Sequence, residues 1–121
     1  MTTSRIHSVT FDCSEPARVG EFWSQVLGYD VVQKTDDYFW IEPSIGGATP
    51  LLFIKVPEAK QQKNRVHLDI ETNDRAAEVD RLIELGASIV DIGTPKDASW
   101  TVMADPEGNE FCVATEEEDG A

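Results

Sequence analysis

The sequence predicts an α+β domain: two βαβββ modules in tandem, forming a cupped mixed sheet with helices on its outer face. Three observations carry the prediction. A segment alternating with period two runs into a helix-spaced apolar stripe that ends at glycine, and this happens twice, at Gly28 and at Gly86. Three more strand-like segments follow each helix. The chain has 121 residues, the size of one domain able to bury a core without staples. The modules are assigned to residues 5–57 and 65–115 of a domain spanning 1–115, with an acidic disordered tail over 116–121.

In the first module, residues 5–13 alternate, Ile6 excepted. Val9, Phe11 and Cys13 fall on one side, Ser8, Thr10 and Asp12 on the other. Ser14 is the expected N-cap, and Pro16 is tolerated in a first helical turn. Val19, Phe22, Trp23 and Val26 stand at i, i+3, i+4 and i+7, one face of a helix that stops at Gly28. Residues 29–34 and 37–42 form a hairpin around Thr35-Asp36, residues 43–49 a loop. The nearly continuous apolar run 51–56 fits a buried strand.

Residues 57–64 are a polar connector without apolar periodicity, and the pattern then restarts. Val66, Leu68 and Ile70 alternate with His67, Asp69 and Glu71; the apolar set is expected under the helix and the polar set in the cup. Asn73 or Asp74 caps a helix with the stripe Ala76, Val79, Leu82 and Ile83. Strands follow at 88–92, 99–104 and 110–115, the last two joined by Asp105-Pro106-Glu107-Gly108, with Pro and Gly where a type I turn wants them. The register nearly repeats: Ser8 to His67 is 59 positions and Gly28 to Gly86 is 58.

Hydrophobic residues at 40% and charged residues at 27% are ordinary globular composition. The net charge of −13 belongs partly to Glu116–Asp119, but the body stays acidic and repels phosphate backbones and anionic membrane surfaces. Neither nucleic acid nor membrane is an expected partner. No apolar run is long enough to span a bilayer, and the first residues lack the apolar core of a secretory leader. Cys13 and Cys112 show no metal-type spacing, so free thiols and a cytoplasmic location are expected.

Three stretches carry a family likeness. The first is Val9-Thr-Phe-Asp-Cys-Ser-Glu-Pro-Ala-Arg-Val-Gly-Glu-Phe-Trp, with Val26-Leu-Gly-Tyr following. The second is Arg65-Val-His-Leu-Asp-Ile, with Asp74 and Leu85-Gly-Ala; the third is Met103-Ala-Asp-Pro-Glu-Gly-Asn-Glu-Phe-Cys-Val. Over residues 5–115 the chain resembles the vicinal-oxygen-chelate superfamily of glyoxalases, bleomycin-resistance proteins and extradiol dioxygenases, and most of all its glyoxalase-like branch. The resemblance implies a homodimer and a ligand-holding cup. In metal-using members the cup holds a divalent ion on a His or Gln of the first strand, a His of the fifth, and a Glu of the fourth or eighth. That ion acts as a Lewis acid on paired substrate oxygens.

The carry-over is uneven. His67 matches the fifth-strand position, but the first-strand position falls on Ser8, with His7 one residue off and so on the opposite face. Cys112 stands where the eighth strand would carry Glu, and residues 51–56 offer no carboxylate. The expectation is therefore no metal and no other cofactor. The expected protein holds a small organic molecule in a polar cup, as a binding protein or as an enzyme using protein groups alone. One alternative is a divalent-metal-dependent lyase, isomerase or dioxygenase-like enzyme anchored by His67. Another is a dimerisation module without a ligand.

Ser8, Asp12, His67, Asp69, Trp100 and Cys112 are the candidate ligand-binding residues, and none is assigned a catalytic role. A strand face reading His67, Asp69, Glu71 is not written for an apolar core. Spaced ~7 Å apart along the strand, His67 and Asp69 can hold one polar ligand, with pH dependence between ~5 and ~8 from the imidazole. Asp12 and Asp69 read either as a proton-sharing carboxylate pair or as acceptors of backbone bonds. Cys112 reads as a nucleophile or, more simply, as a small packed hydrophobe. Trp40 and Trp100 are candidates for the cup wall, and Trp23 belongs to the core.

Overall fold

Each half of the chain folds as strand, helix, strand, strand, strand. The computed structural model describes residues 2–91 and 98–115; Ile92, expected to end a strand, and the acidic tail lie outside the described residues. The chain divides into two compact units, Met1–Lys60 and Gln61–Ala121.

The first unit contains β1 (Val9–Cys13), α1 (Pro16–Leu27), β2 (Tyr29–Lys34), β3 (Tyr38–Pro43) and β4 (Leu51–Lys55), with sheet order β1-β4-β3-β2. β1 runs parallel to β4 and the other pairs are antiparallel. Val19, Phe22 and Trp23 of α1 are buried, as are Phe39, Ile41, Leu51 and Phe53 of the sheet. Phe11 bridges the layers, its ring 5.0 Å from Phe53 and 5.9 Å from Trp23. Gly20 lets the helix come this close: a Cβ there would stand 2.2 Å from Cδ1 of Phe39.

Two local readings need correction. The N-cap is Glu15, not Ser14, and its side chain makes no cap bond. Pro16 at the first helical turn lacks an N–H, and the Glu15 carbonyl already takes Arg18 and Val19 N–H at 3.1 and 3.2 Å. The helix does stop at Gly28, in the left-handed region at φ 69°. The apolar run on β4 is not buried on both faces. Leu51 and Phe53 are buried, whereas Ile54 is 37% exposed, because alternation turns Leu52 and Ile54 to the sheet's other face.

The second unit contains β5 (Asp69–Thr72), α2 (Arg75–Leu85), β6 (Ser88–Ile89), β7 (Trp100–Ala104) and β8 (Glu110–Thr115), in the order β5-β8-β7-β6 with β5 parallel to β8. Asp74 is the cap, its carboxylate accepting the Ala77 N–H at 3.1 Å. Val79 and Leu82 are buried, as are Met103, Phe111 and Val113 of the sheet, while Ile83 is 44% exposed and leaves the expected stripe. The fifth strand starts at Asp69, not Arg65, and Val66 is 80% exposed instead of lying under the helix. The reason is local. Asn64 Nδ2 donates to the Val66 carbonyl at 2.5 Å, and Leu68 meets β8 through its carbonyl, which accepts the Cys112 N–H at 3.0 Å.

The β7–β8 turn is locked from inside. Asp105, 4% exposed, accepts the Glu107 and Asn109 N–H groups at 2.9 Å each and the Asn109 amide at 3.0 Å. Gly108 completes it at φ 87°. Among the described residues no helix is long and apolar enough to cross a membrane.

Candidate functional site

β8 alternates strictly. Phe111 and Val113 face the helix side and are buried, which turns Cys112 and Ala114 to the open side. Register then builds a row across the sheet: Val102 on β7 pairs with Cys112, and Cys112 pairs with Asp69 at the start of β5. Trp100 pairs with Ala114 one step along. His67, Asp69, Trp100, Val102, Cys112 and Ala114 line a cavity of about 420 Å³, with Lys63, Ser99 and Glu110 at its polar margin.

The polar end is a cluster of three. His67 Nδ1 lies 2.9 Å from Asp69 Oδ1, and the donor atoms of His67, Asp69 and Cys112 all fall within 4.8 Å of one another. Burial pushes the Cys112 thiol up; the charge of Asp69 and a hydrogen bond to it push further, against a smaller opposing pull from Lys63. The thiol is therefore neutral at neutral pH, a hydrogen-bond donor rather than a thiolate. Nδ1 is the ring nitrogen turned to the carboxylate, and Nε2 is on the edge of the ring away from that contact.

Of the six residues expected at a ligand site, the structure groups four: His67, Asp69, Trp100 and Cys112. Cys112 lines the cavity and is only half-buried, so it is not part of the helix-side core. Ser8 and Asp12 belong to the first unit: Ser8 precedes β1, its Oγ 3.3 Å from His7 Nδ1, and Asp12 is exposed on β1 opposite Ile54. Lys63, Ser99 and Glu110 were not among the expected residues. Glu110 shares its strand face with Cys112, so alternation points to it; Lys63 sits in the aperiodic connector and gives no signal.

Residues 8–114 match the glyoxalase-like domain family. The chain belongs to that family. Among solved structures, a glyoxalase/bleomycin resistance protein/dioxygenase family enzyme from Burkholderia phytofirmans aligns at 16% identity and a TM-score of 0.72, over 93% of this chain and 98% of its own. A glyoxalase-related enzyme from Fulvimarina pelagi aligns at 13% and 0.70, over 94% and 89%. The antibiotic-binding protein TnmS3 from Streptomyces sp. CB03234 aligns at 18% and 0.62, over 97% and 99%. No curated protein sequence matches. Identities this low show the shared fold and no more.

In this glyoxalase-like domain, His67, Asp69 and Cys112 are a group of donors that could meet a divalent ion. A hard ion such as magnesium or manganese wants an oxygen cage, and the cluster offers one carboxylate, one imidazole and one protonated thiol. A zinc-like ion accepts nitrogen, sulfur and oxygen together, so the three donors suit it in kind. Binding would then cost the thiol proton and the His67–Asp69 contact.

Proposed function

We propose that this glyoxalase-like domain holds a small organic molecule in the cavity of its second module, as a binding protein or an enzyme using protein groups alone, with no resident metal. One observation carries the reading: His67, Asp69 and Cys112 gather in one cavity with Trp100 and small apolar side chains. A cavity with an apolar body and a few convergent polar groups suits a ligand having a ring and one polar edge. The ring stacks on Trp100, and the polar edge meets His67 Nε2 and Asp69. TnmS3, which shares the fold, is an antibiotic-binding protein, so the fold is compatible with holding a small organic molecule.

The test is a calorimetric titration in chelator, with bleomycin and a panel of planar aromatic amines as probes. Saturable binding weakened about tenfold or more in both Trp100→Leu and His67→Gln supports the reading. Binding unchanged in both variants, or dependent on added metal, overturns it.

The donor cluster favours a second reading, in which His67, Asp69 and Cys112 hold a zinc-like ion that would supply Lewis-acid polarisation of a bound oxygen. One equivalent of metal after gentle purification, lost in Cys112→Ser, would select this reading.

We also take the protein to be a cytoplasmic homodimer. Cys13 and Cys112 are thiols and not a disulfide, which suits a reducing compartment. Val31 and Val32 on the edge strand β2 are 42% and 55% exposed, a surface that pairing would cover. Light scattering on a sizing column should give twice the 13.4 kDa chain mass.

A further inference from the structure

We infer that the open face of the first module's sheet binds a small organic cation, an alkylated ammonium held against aromatic rings. The face follows from alternation on β3. Phe39 and Ile41 are fully buried on the helix side, so Tyr38 and Trp40 stand on the other. Register sets Ile54 beside Tyr38 and Leu52 beside Trp40. These four, with Gln33 and Asp37, line a cavity of about 440 Å³.

The chemistry of the lining selects the sign of the ligand. Two aromatic rings and two aliphatic chains form the body, and the one charged lining residue is Asp37. No lysine, arginine or histidine is among the lining residues. The next residue along the same face, Glu42, accepts a hydrogen bond from Trp40 Nε1. That bond fixes the indole and sets a second carboxylate at the indole's N–H edge, just outside the lining. His7 stacks on the indole as well, ring centroids 5.7 Å apart at 27°, so the plane of Trp40 is set from two directions. A preset indole beside carboxylates attracts a cation through the ring quadrupole and through net charge together. An anion meets two carboxylates in a chain of net charge −13. A neutral ligand gains contact area only.

The probe is choline, compared with 3,3-dimethylbutan-1-ol, its uncharged isostere. The readout is the indole N–H signal of Trp40 in the nitrogen-labelled full chain, which separates this face from the cavity that Trp100 reports. Choline should shift the Trp40 signal saturably, with the isostere about tenfold weaker or more. Asp37→Asn should weaken choline several-fold while leaving the other indole signals in place, which shows the fold intact. Equal binding of choline and the isostere, an unchanged affinity in Asp37→Asn, or no saturable shift each overturns the inference.

Discussion

Asn64 and Glu110 grip each other through side chain and main chain in both directions. The Asn64 N–H donates to Glu110 Oε1 at 3.0 Å, and the Glu110 N–H donates to Asn64 Oδ1 at 2.8 Å. Asn64 Nδ2 adds a third bond to the Glu110 carbonyl at 3.2 Å. The pair moors the end of the connector to the start of β8, just ahead of His67. Asn64→Ala removes the side-chain donor and acceptor together. We expect a loss of roughly 1–3 kcal/mol in urea denaturation, since half-buried partners lose their bonds. Asn64→Asp, which keeps one acceptor but sets a carboxylate against Glu110, should not rescue it. A fall below roughly 0.5 kcal/mol in the alanine variant would show the clasp to be ornamental.

Gly20→Ala pits two effects of opposite sign. Alanine improves a helix interior by roughly 1 kcal/mol over glycine. Its Cβ, however, would lie 2.2 Å from the ring of Phe39, which is fully buried. Overpacking of this kind costs roughly 1–3 kcal/mol or more, so the net sign is destabilising. A lower melting temperature in Gly20→Ala, relieved by adding Phe39→Leu, checks it.

The Cys112 thiol should be slow to alkylate at pH 8, because burial and Asp69 hold it above its ordinary value of 9.0. Asp69→Asn removes the neighbouring charge, so iodoacetamide should then label Cys112 several-fold faster while buried Cys13 stays protected. The folded state resists ionising this thiol more than the unfolded state does. Its contribution to stability is therefore intact below pH ~9 and is lost as pH rises through the folded value. Cys112→Ala should flatten that alkaline slope in a pH series of melts.

Glu78 gives the opposite sign at the acid end. The hydrogen bond from Arg81 holds its carboxyl below the usual value, with Nε to Oε1 at 2.7 Å and Nη2 to Oε2 at 2.8 Å. A depressed carboxyl contributes stability above its unfolded value of ~4.5 that disappears as pH falls through the folded value. Arg81 is half-exposed, so the effect is screened. Arg81→Gln should lower stability by under ~1 kcal/mol at pH 7 and by almost nothing at pH 3. Chemical melts at the two pH values measure the difference.

Asp105→Ala strips the acceptor from three N–H donors inside a buried turn. We expect a cost of roughly 2–4 kcal/mol, larger than for the exposed cap Asp74→Ala, where water replaces the lost bond at roughly 1 kcal/mol. Equal losses in the two variants would show that burial of the turn adds nothing.

The order of elements was legible because period changes survive in the sequence. Val9-Thr-Phe-Asp-Cys alternates, Val19, Phe22 and Trp23 do not, and a glycine marks each helix end. The pairing of His67 with Asp69 was legible from the alternation too, although His67 stands just before the strand that begins at Asp69. The start of the fifth strand was not. Residues 65–68 alternate like a strand, but pairing is decided by β8 and by Asn64, a contact across 46 positions that leaves no period behind. Nor was the role of Gly20, since a glycine inside a helical stripe reads only as a weak helix former until Phe39 is seen against it. Leu52 and Ile54 misled in a different way: an apolar run looks the same whether its second face is covered by a helix or open to a cavity.

The two units do not bury equal hydrophobic mass. α1 commits Val19, Phe22 and Trp23 to a core with Phe39 and Phe53, whereas α2 commits only Val79 and Leu82. In time rather than in space, this makes the halves unequal. Backbone amides of β3 and β4 should exchange with deuterated water only on rare, near-global opening, while those of β5 and β8 are released in more frequent local events. The half that carries His67 and Cys112 should then be the half that opens more often. An occupant there would slow the exchange of its own walls, and the slowing would register residence even where no reaction follows.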